Sequence, residues 1–222
     1  RLGFRSLNVD LMYGLPSQTV EGFGQTLELL LALRPERVAV FGYAHMPKLI
    51  KHQRVLDGPD LPAADARLAL LELALSRLQG AGYVSIGLDH FALAGDELAV
   101  ARGDGTLRRN FMGYTTCAES DVLAFGPSSI SEVRGAFVQN AREVRDWATR
   151  VERGELPVVR GWAPTPDDDL RRELIQQLFC QLQLDTAAFA RAHGIDFDAT
   201  FRPELEALRT LEADGLVERA GA

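Results

Sequence analysis

The 222 residues predict an α/β fold, and three observations carry that prediction. Strand-period and helix-period patterns alternate over the first ninety or so residues. The connections between them are short, which favours parallel strand–helix–strand units. The length suffices for one sizeable core, or for a large domain with a small one.

The first strand is "NVDLMY" with Leu7 before it: Leu7, Val9, Leu11 and Tyr13 alternate with Asn8, Asp10 and Met12. Gly14, Pro16 and Ser17 break it, and Thr19 can cap a helix whose Phe23, Leu27, Leu30 and Leu31 share one stripe before Pro35 stops it. A second strand runs from Arg37 to about Ala44, rich in Val and aromatics. A helix follows from about Ala63 to Gln79, with Leu68, Leu71, Leu75 and Leu78 expected inward and Gly80 and Gly82 ending it. A third strand spans Tyr83 to Asp89. A barrel and an open parallel sheet are the main choices for these elements.

Past His90 the pattern changes. The segment 108–116 reads as a polar, Gly-interrupted loop, and 121–131 as a short apolar strand entering a Gly-Pro turn. A helix is expected from about Ala141 to Arg153, then a linker spaced by Pro157, Pro164 and Pro166. The boundary is accordingly placed near residue 160, with domains 1–160 and 161–222. The second begins with an acid-rich helix start, Thr165 to Asp169, and its final stretch is similar to the helix-to-wing segment of a winged-helix fold. No basic patch accompanies it, so a helical lid or packing role is favoured over DNA binding.

Composition narrows the partners. A formal net charge of −7 argues against nucleic acid held through phosphates. No apolar run reaches the roughly 18 residues of a membrane span, and nothing has the form of a signal peptide, so a soluble cytoplasmic protein is expected. One basic cluster, His45, Lys48, Lys51, His52 and Arg54, contains the only two lysines; it is either an anion site or a solvated loop. Cys117 and Cys180 are the only cysteines and lack metal-type spacing, so no metal-ligating residues are assigned in this chain.

The strings "SLNVDLMYGLPSQT", "VFGYAHMP", "IGLDHFA" and "RNFMGYTT", in that order, resemble the oxygen-independent coproporphyrinogen III oxidase (dehydrogenase) family of radical S-adenosylmethionine enzymes. The resemblance covers nearly the whole chain. It implies part of a (β/α) partial TIM-type barrel with a helical, winged-helix-like C-terminal domain. It also implies a [4Fe-4S] cluster, two S-adenosylmethionine molecules and an electron donor and acceptor. The substrate it implies is coproporphyrinogen III, two of whose propionates become vinyl groups in a monomeric enzyme of porphyrin biosynthesis. The family's cysteine triad has no equivalent here, so elements preceding Arg1 are expected to carry it and the chain alone is expected to be inactive. A haem-binding or haem-trafficking relative without oxidase activity is the alternative; a cluster-free barrel binding an anionic metabolite is a third reading.

Three cofactor-binding residues follow from the resemblance. In a barrel Leu7, Val9 and Leu11 would meet the helices while Asn8, Asp10 and Met12 face the lumen. Asp10 matches the acid that accepts hydrogen bonds from S-adenosylmethionine, a lumenal ion pair being the other reading. Ala44, at a strand end, matches a position beside the adenosyl group, where backbone and small size would serve. Ile130, in "GPSSIS", matches a position touching the S-adenosylmethionine at the cluster. Arg109, or the 45–54 cluster, could hold a propionate, and the family often has Gln where this chain has Met112. Asp89 and His90 are given a structural or substrate-positioning role, since radical hydrogen abstraction requires no base there. No residue is assigned as catalytic.

Overall fold

The computed structural model describes residues 3–4, 6–56, 60–117 and 120–220. The α/β class is observed, in two compact units: residues 1–120 with 179–181, and residues 121–178 with 182–222. The units divide at Asp121, so the expected boundary near residue 160 falls inside the second.

The first unit begins with β1 (Asn8–Tyr13), α1 (Val20–Leu33) and β2 (Arg37–Gly42), the two strands parallel and in direct register. Thr19 caps α1 by accepting from the Gly22 amide at 3.1 Å, and Arg34 ends it in the left-handed region before Pro35. A 3₁₀ segment (Lys51–Leu56) precedes α2 (Ala64–Gly80) and β3 (Tyr83–Gly87). Leu70, Ala74 and Leu78 form the buried stripe of α2; Leu68, expected inward, is exposed and Leu71 and Leu75 are half-buried. With leucine on several faces, residue type does not choose the stripe, and fully buried Ala74 joins Phe23, Leu27, Val38 and Val40 in one cluster.

A fourth strand, β4 (His90–Leu93), lies where none was expected. It pairs antiparallel with both β2 and β3, so the sheet order is β1-β2-β4-β3 and β3 is not a neighbour of β2. After it come α3 (Glu97–Gly103), then β5 (Arg108–Asn110) and β6 (Gly113–Thr115), an antiparallel hairpin in place of the expected loop. A second apolar cluster, Ile86, Ala92, Leu98, Ala101, Leu107 and Cys180, completes this unit.

The second unit holds a three-stranded antiparallel sheet, β7 (Ile130–Val133), β8 (Ala136–Asn140) and β9 (Val158–Trp162), with α4 (Val144–Glu152) between the last two. The expected strand over 121–131 is reduced to one bridge, Val122 to Glu132, because its apolar side chains Leu123 and Phe125 find no cover and stay exposed. Helix α5 (Pro166–Gln181) starts on a capping box, Thr165 with Asp168. Phe189, Phe197 and Phe201 form the core of α6 (Thr186–His193), α7 (Phe197–Thr200) and α8 (Arg202–Ala213). Among the described residues no wing strand follows α8.

Candidate functional site

The faces of the first sheet follow from its register. Val9 pairs with Val38 and Leu11 with Val40, and these four pack against α1 and α2. Alternation then places Asp10 and its partner Ala39 on the opposite face. Ala39 also pairs with His90 on β4, so Asp10, Ala39 and His90 form one cross-strand row. Two strand spacings separate the ends of that row by about 10 Å. Buried Ala39 stands between them in the row. Asp10 is exposed and accepts a hydrogen bond from Asn8 Nδ2 at 2.8 Å. Leu7, expected against the helices, is exposed as well.

Both parallel strands end in loops fastened by a glutamine. After β1, Gln18 Oε1 accepts from the Gly14 amide at 2.6 Å while its Nε2 donates to the Met12 carbonyl at 3.2 Å. After β2, buried Gln53 donates to the Ala44 carbonyl at 3.0 Å and accepts from the Met46 amide at 2.6 Å. Ala44 is exposed, and its carbonyl accepts from Gln53. Arg67 of α2 lies across Gly14 and Gly42 and donates to the Tyr43 carbonyl at 3.2 Å. Of the basic cluster, Lys48, Lys51, His52 and Arg54 are exposed.

The reversal through β4 brings Asp89 and His90 to this same end of the sheet. Because β2 and β3 each run opposite to β4, the β3–β4 turn stands where the parallel strands finish, and the Val40 amide donates to the Asp89 carbonyl at 2.8 Å. His90 Nδ1 is 2.8 Å from Asp89 Oδ1, and the imidazole meets the Tyr114 ring edge-on at 5.3 Å. Tyr114 donates to the Phe179 carbonyl at 3.2 Å, and burial, with Cys180 beside it, raises its phenol above the ordinary value. Arg109 stacks over the rings of Tyr114 and Phe179, at 5.8 and 5.6 Å. Phe111 and Met112, at the hairpin tip, are exposed.

In the second unit, Ile130 opens β7 opposite Gln139 and is half-buried. The turn before it is fixed by Asn140, whose buried amide donates to the Gly126 carbonyl at 3.0 Å and to Ser129 Oγ at 3.1 Å. Gln139 donates to the Ser128 carbonyl at 2.7 Å, holding Ser128 at a positive φ of 61°. Asp10 and Ala44 thus share one unit, and Ile130 belongs to the other.

The residues present do not fit an iron–sulfur cluster. Among the described residues no three His, Cys, Asp or Glu side chains gather to hold a metal ion, and of the two cysteines, which form no disulfide, Cys117 is exposed and Cys180 buried. Asp10 and Ala44 do suit a polar organic ligand: a carboxylate acceptor and a small residue on open faces. Sequence reasoning missed Gln18, Gln53, Asn140 and Arg67. Only Gln18, polar beside a Gly-Pro turn, carried a readable signal.

Residues 165–222 match the HemN C-terminal domain family. The chain is 42% identical over 216 residues to the oxygen-independent coproporphyrinogen III oxidase of Pseudomonas aeruginosa, covering 97% of this chain and 47% of that protein. It is 45% identical over 215 residues to the one of Thermostichus vulcanus, covering 96% and 66%. A solved structure of Escherichia coli coproporphyrinogen III oxidase (HemN), described as a radical SAM enzyme, superposes with a TM-score of 0.92 at 40% identity, over 99% of this chain and 50% of that one. The chain therefore spans about half the length of most of the curated relatives it matches.

Proposed function

We propose a function on the premise that this chain belongs to the oxygen-independent coproporphyrinogen III oxidase family of radical S-adenosylmethionine enzymes: it serves the oxidative decarboxylation of two coproporphyrinogen III propionates to vinyl groups, giving protoporphyrinogen IX. Each round removes one hydrogen atom and one carbon dioxide and passes one further electron to an acceptor. S-adenosylmethionine supplies, when bound, the hydrogen-abstracting group.

This chain's own part is to bind and orient. Asp10 accepts hydrogen bonds from the ribose hydroxyls or ammonium of S-adenosylmethionine. Ala44 offers its amide and leaves room beside the adenosyl group, Gln53 fixing the strand exit behind it. Ile130 adds an apolar contact from a turn held by Asn140. The reaction is placed in the cytoplasm, in a monomer drawing electrons from a separate donor; two S-adenosylmethionine molecules are needed for the two propionates.

The observation that carries this reading is Asp10, a carboxylate on the face of the parallel strand pair opposite α1 and α2. The test is the full-length protein that contains this chain, reconstituted without oxygen and supplied with S-adenosylmethionine and coproporphyrinogen III. Protoporphyrinogen IX and carbon dioxide are the expected products; stable haem binding with no turnover would establish the haem-carrier alternative instead. Asp10→Ala should weaken S-adenosylmethionine about 10-fold or more, the worth of a hydrogen bond to a charged group. Unchanged affinity removes Asp10 from the site.

A further inference from the structure

Resting on that reading, we propose that His90, oriented by Asp89, binds a carboxylate of the tetrapyrrole substrate. An ionised Asp89 can only accept, so the 2.8 Å contact fixes the hydrogen on His90 Nδ1 and leaves Nε2 as the group turned to a ligand. A carboxylate at Nε2 then places the ring between two anions, and as imidazolium it donates to both.

Three features single out His90 among the basic residues of this unit. It shares the face and the cross-strand row of Asp10, about 10 Å away, so a macrocycle presented to the adenosyl site can reach it with a side chain. Its ring is held on two sides, by the Asp89 carboxylate and the edge of Tyr114, which removes the ordering cost that a free lysine on the 45–54 loop would incur. It is nonetheless a third exposed, whereas Arg109 is stacked on Tyr114 and Phe179. Asp89 and Tyr114 touch it, Arg109, Arg102 and Cys180 interact with that tyrosine, and Asp10 ends the row, so His90 is the basic group in this row.

The probe is coproporphyrin III, the stable oxidised form that carries the same four carboxylates, titrated into the full-length protein by fluorescence. His90→Leu is expected to raise its Kd about 10-fold, and His90→Gln, which keeps a neutral donor, about threefold. A neutral tetra-amide analogue should bind the wild type and both variants alike. An unchanged Kd in His90→Leu overturns the proposal, and so does an equal loss for the amide, which would mean that the ring only supports the pocket. Thermal midpoints report folding, and where His90→Leu is unfolded the Gln variant carries the same comparison. A wild type that turns over coproporphyrinogen III but is indifferent to His90→Leu refutes this inference alone; one that neither binds nor converts the tetrapyrrole refutes the parent reading as well.

Discussion

Gly87→Ala should unfold the end of the first sheet that carries Asp89 and His90. Gly87 has a φ of 157°, a backbone setting that side chains rarely adopt. A Cβ there would overlap the Tyr114 hydroxyl and stand 2.8 Å from Tyr114 Cζ and 2.9 Å from the Phe179 carbonyl oxygen. These neighbours cannot retreat separately, because Tyr114 donates to that same carbonyl and Arg109 lies over both rings. An unfavourable φ costs about 1–3 kcal/mol, and forcing a methyl into a filled space costs about 1–3 kcal/mol more. The sum, about 2–6 kcal/mol, corresponds to a thermal midpoint lowered by roughly 4–24 °C for a cooperative unit of this size. Circular dichroism on heating measures it. Adding Tyr114→Phe should restore only part of the loss, since Cζ and the Phe179 carbonyl remain. A drop under about 2 °C would refute the steric reasoning, being less than 1 kcal/mol on the same scale.

Asn140→Leu removes both donors that hold the Gly126 and Ser129 acceptors, and should destabilise the second unit by about 1–3 kcal/mol. Hydrogen exchange should quicken first at the 128–130 amides, and unchanged protection there would contradict the role given to Asn140. Thr165 donates to Asp168 through its hydroxyl and its amide, holding that carboxyl below the ordinary carboxylate value. Folded Asp168 thus titrates below its unfolded counterpart, so its stabilising contribution is complete above the unfolded value and disappears as pH falls through the folded one. Carboxyl NMR should show the Asp168 midpoint rising in Thr165→Val; an unmoved midpoint would assign the depression to another group.

The parallel strand pair and its intervening helix were legible because Val9, Leu11, Val38 and Val40 alternate cleanly and Thr19 and Pro35 punctuate the helix. Strand β4 was not, because "HFAL" is buried on both faces, Phe91 in one cluster and Ala92 in the other, which erases the alternation that marks a half-buried strand. The β5–β6 hairpin uses strands of three residues, too short for any period to register. Asp10 stood out as a carboxylate inside an apolar alternation, while Ala44 and Ile130 have ordinary side chains that only family likeness could mark. Gln53 and Asn140 act across 9 and 14 residues by hydrogen bonds that residue order does not encode. The Asp89–His90 pair was visible as a dipeptide, but its place in line with Asp10 depends on the unforeseen strand.

Strand β1 has a hydrogen-bonded neighbour along one border only, since the sheet order ends with it among the described residues. Its other border presents a row of main-chain donors and acceptors on which a further extended segment can dock. Whatever docks there sets every second side chain beside Asn8, Asp10 and Met12, so the wall around the carboxylate is shared property, open to residues that this strand does not itself provide.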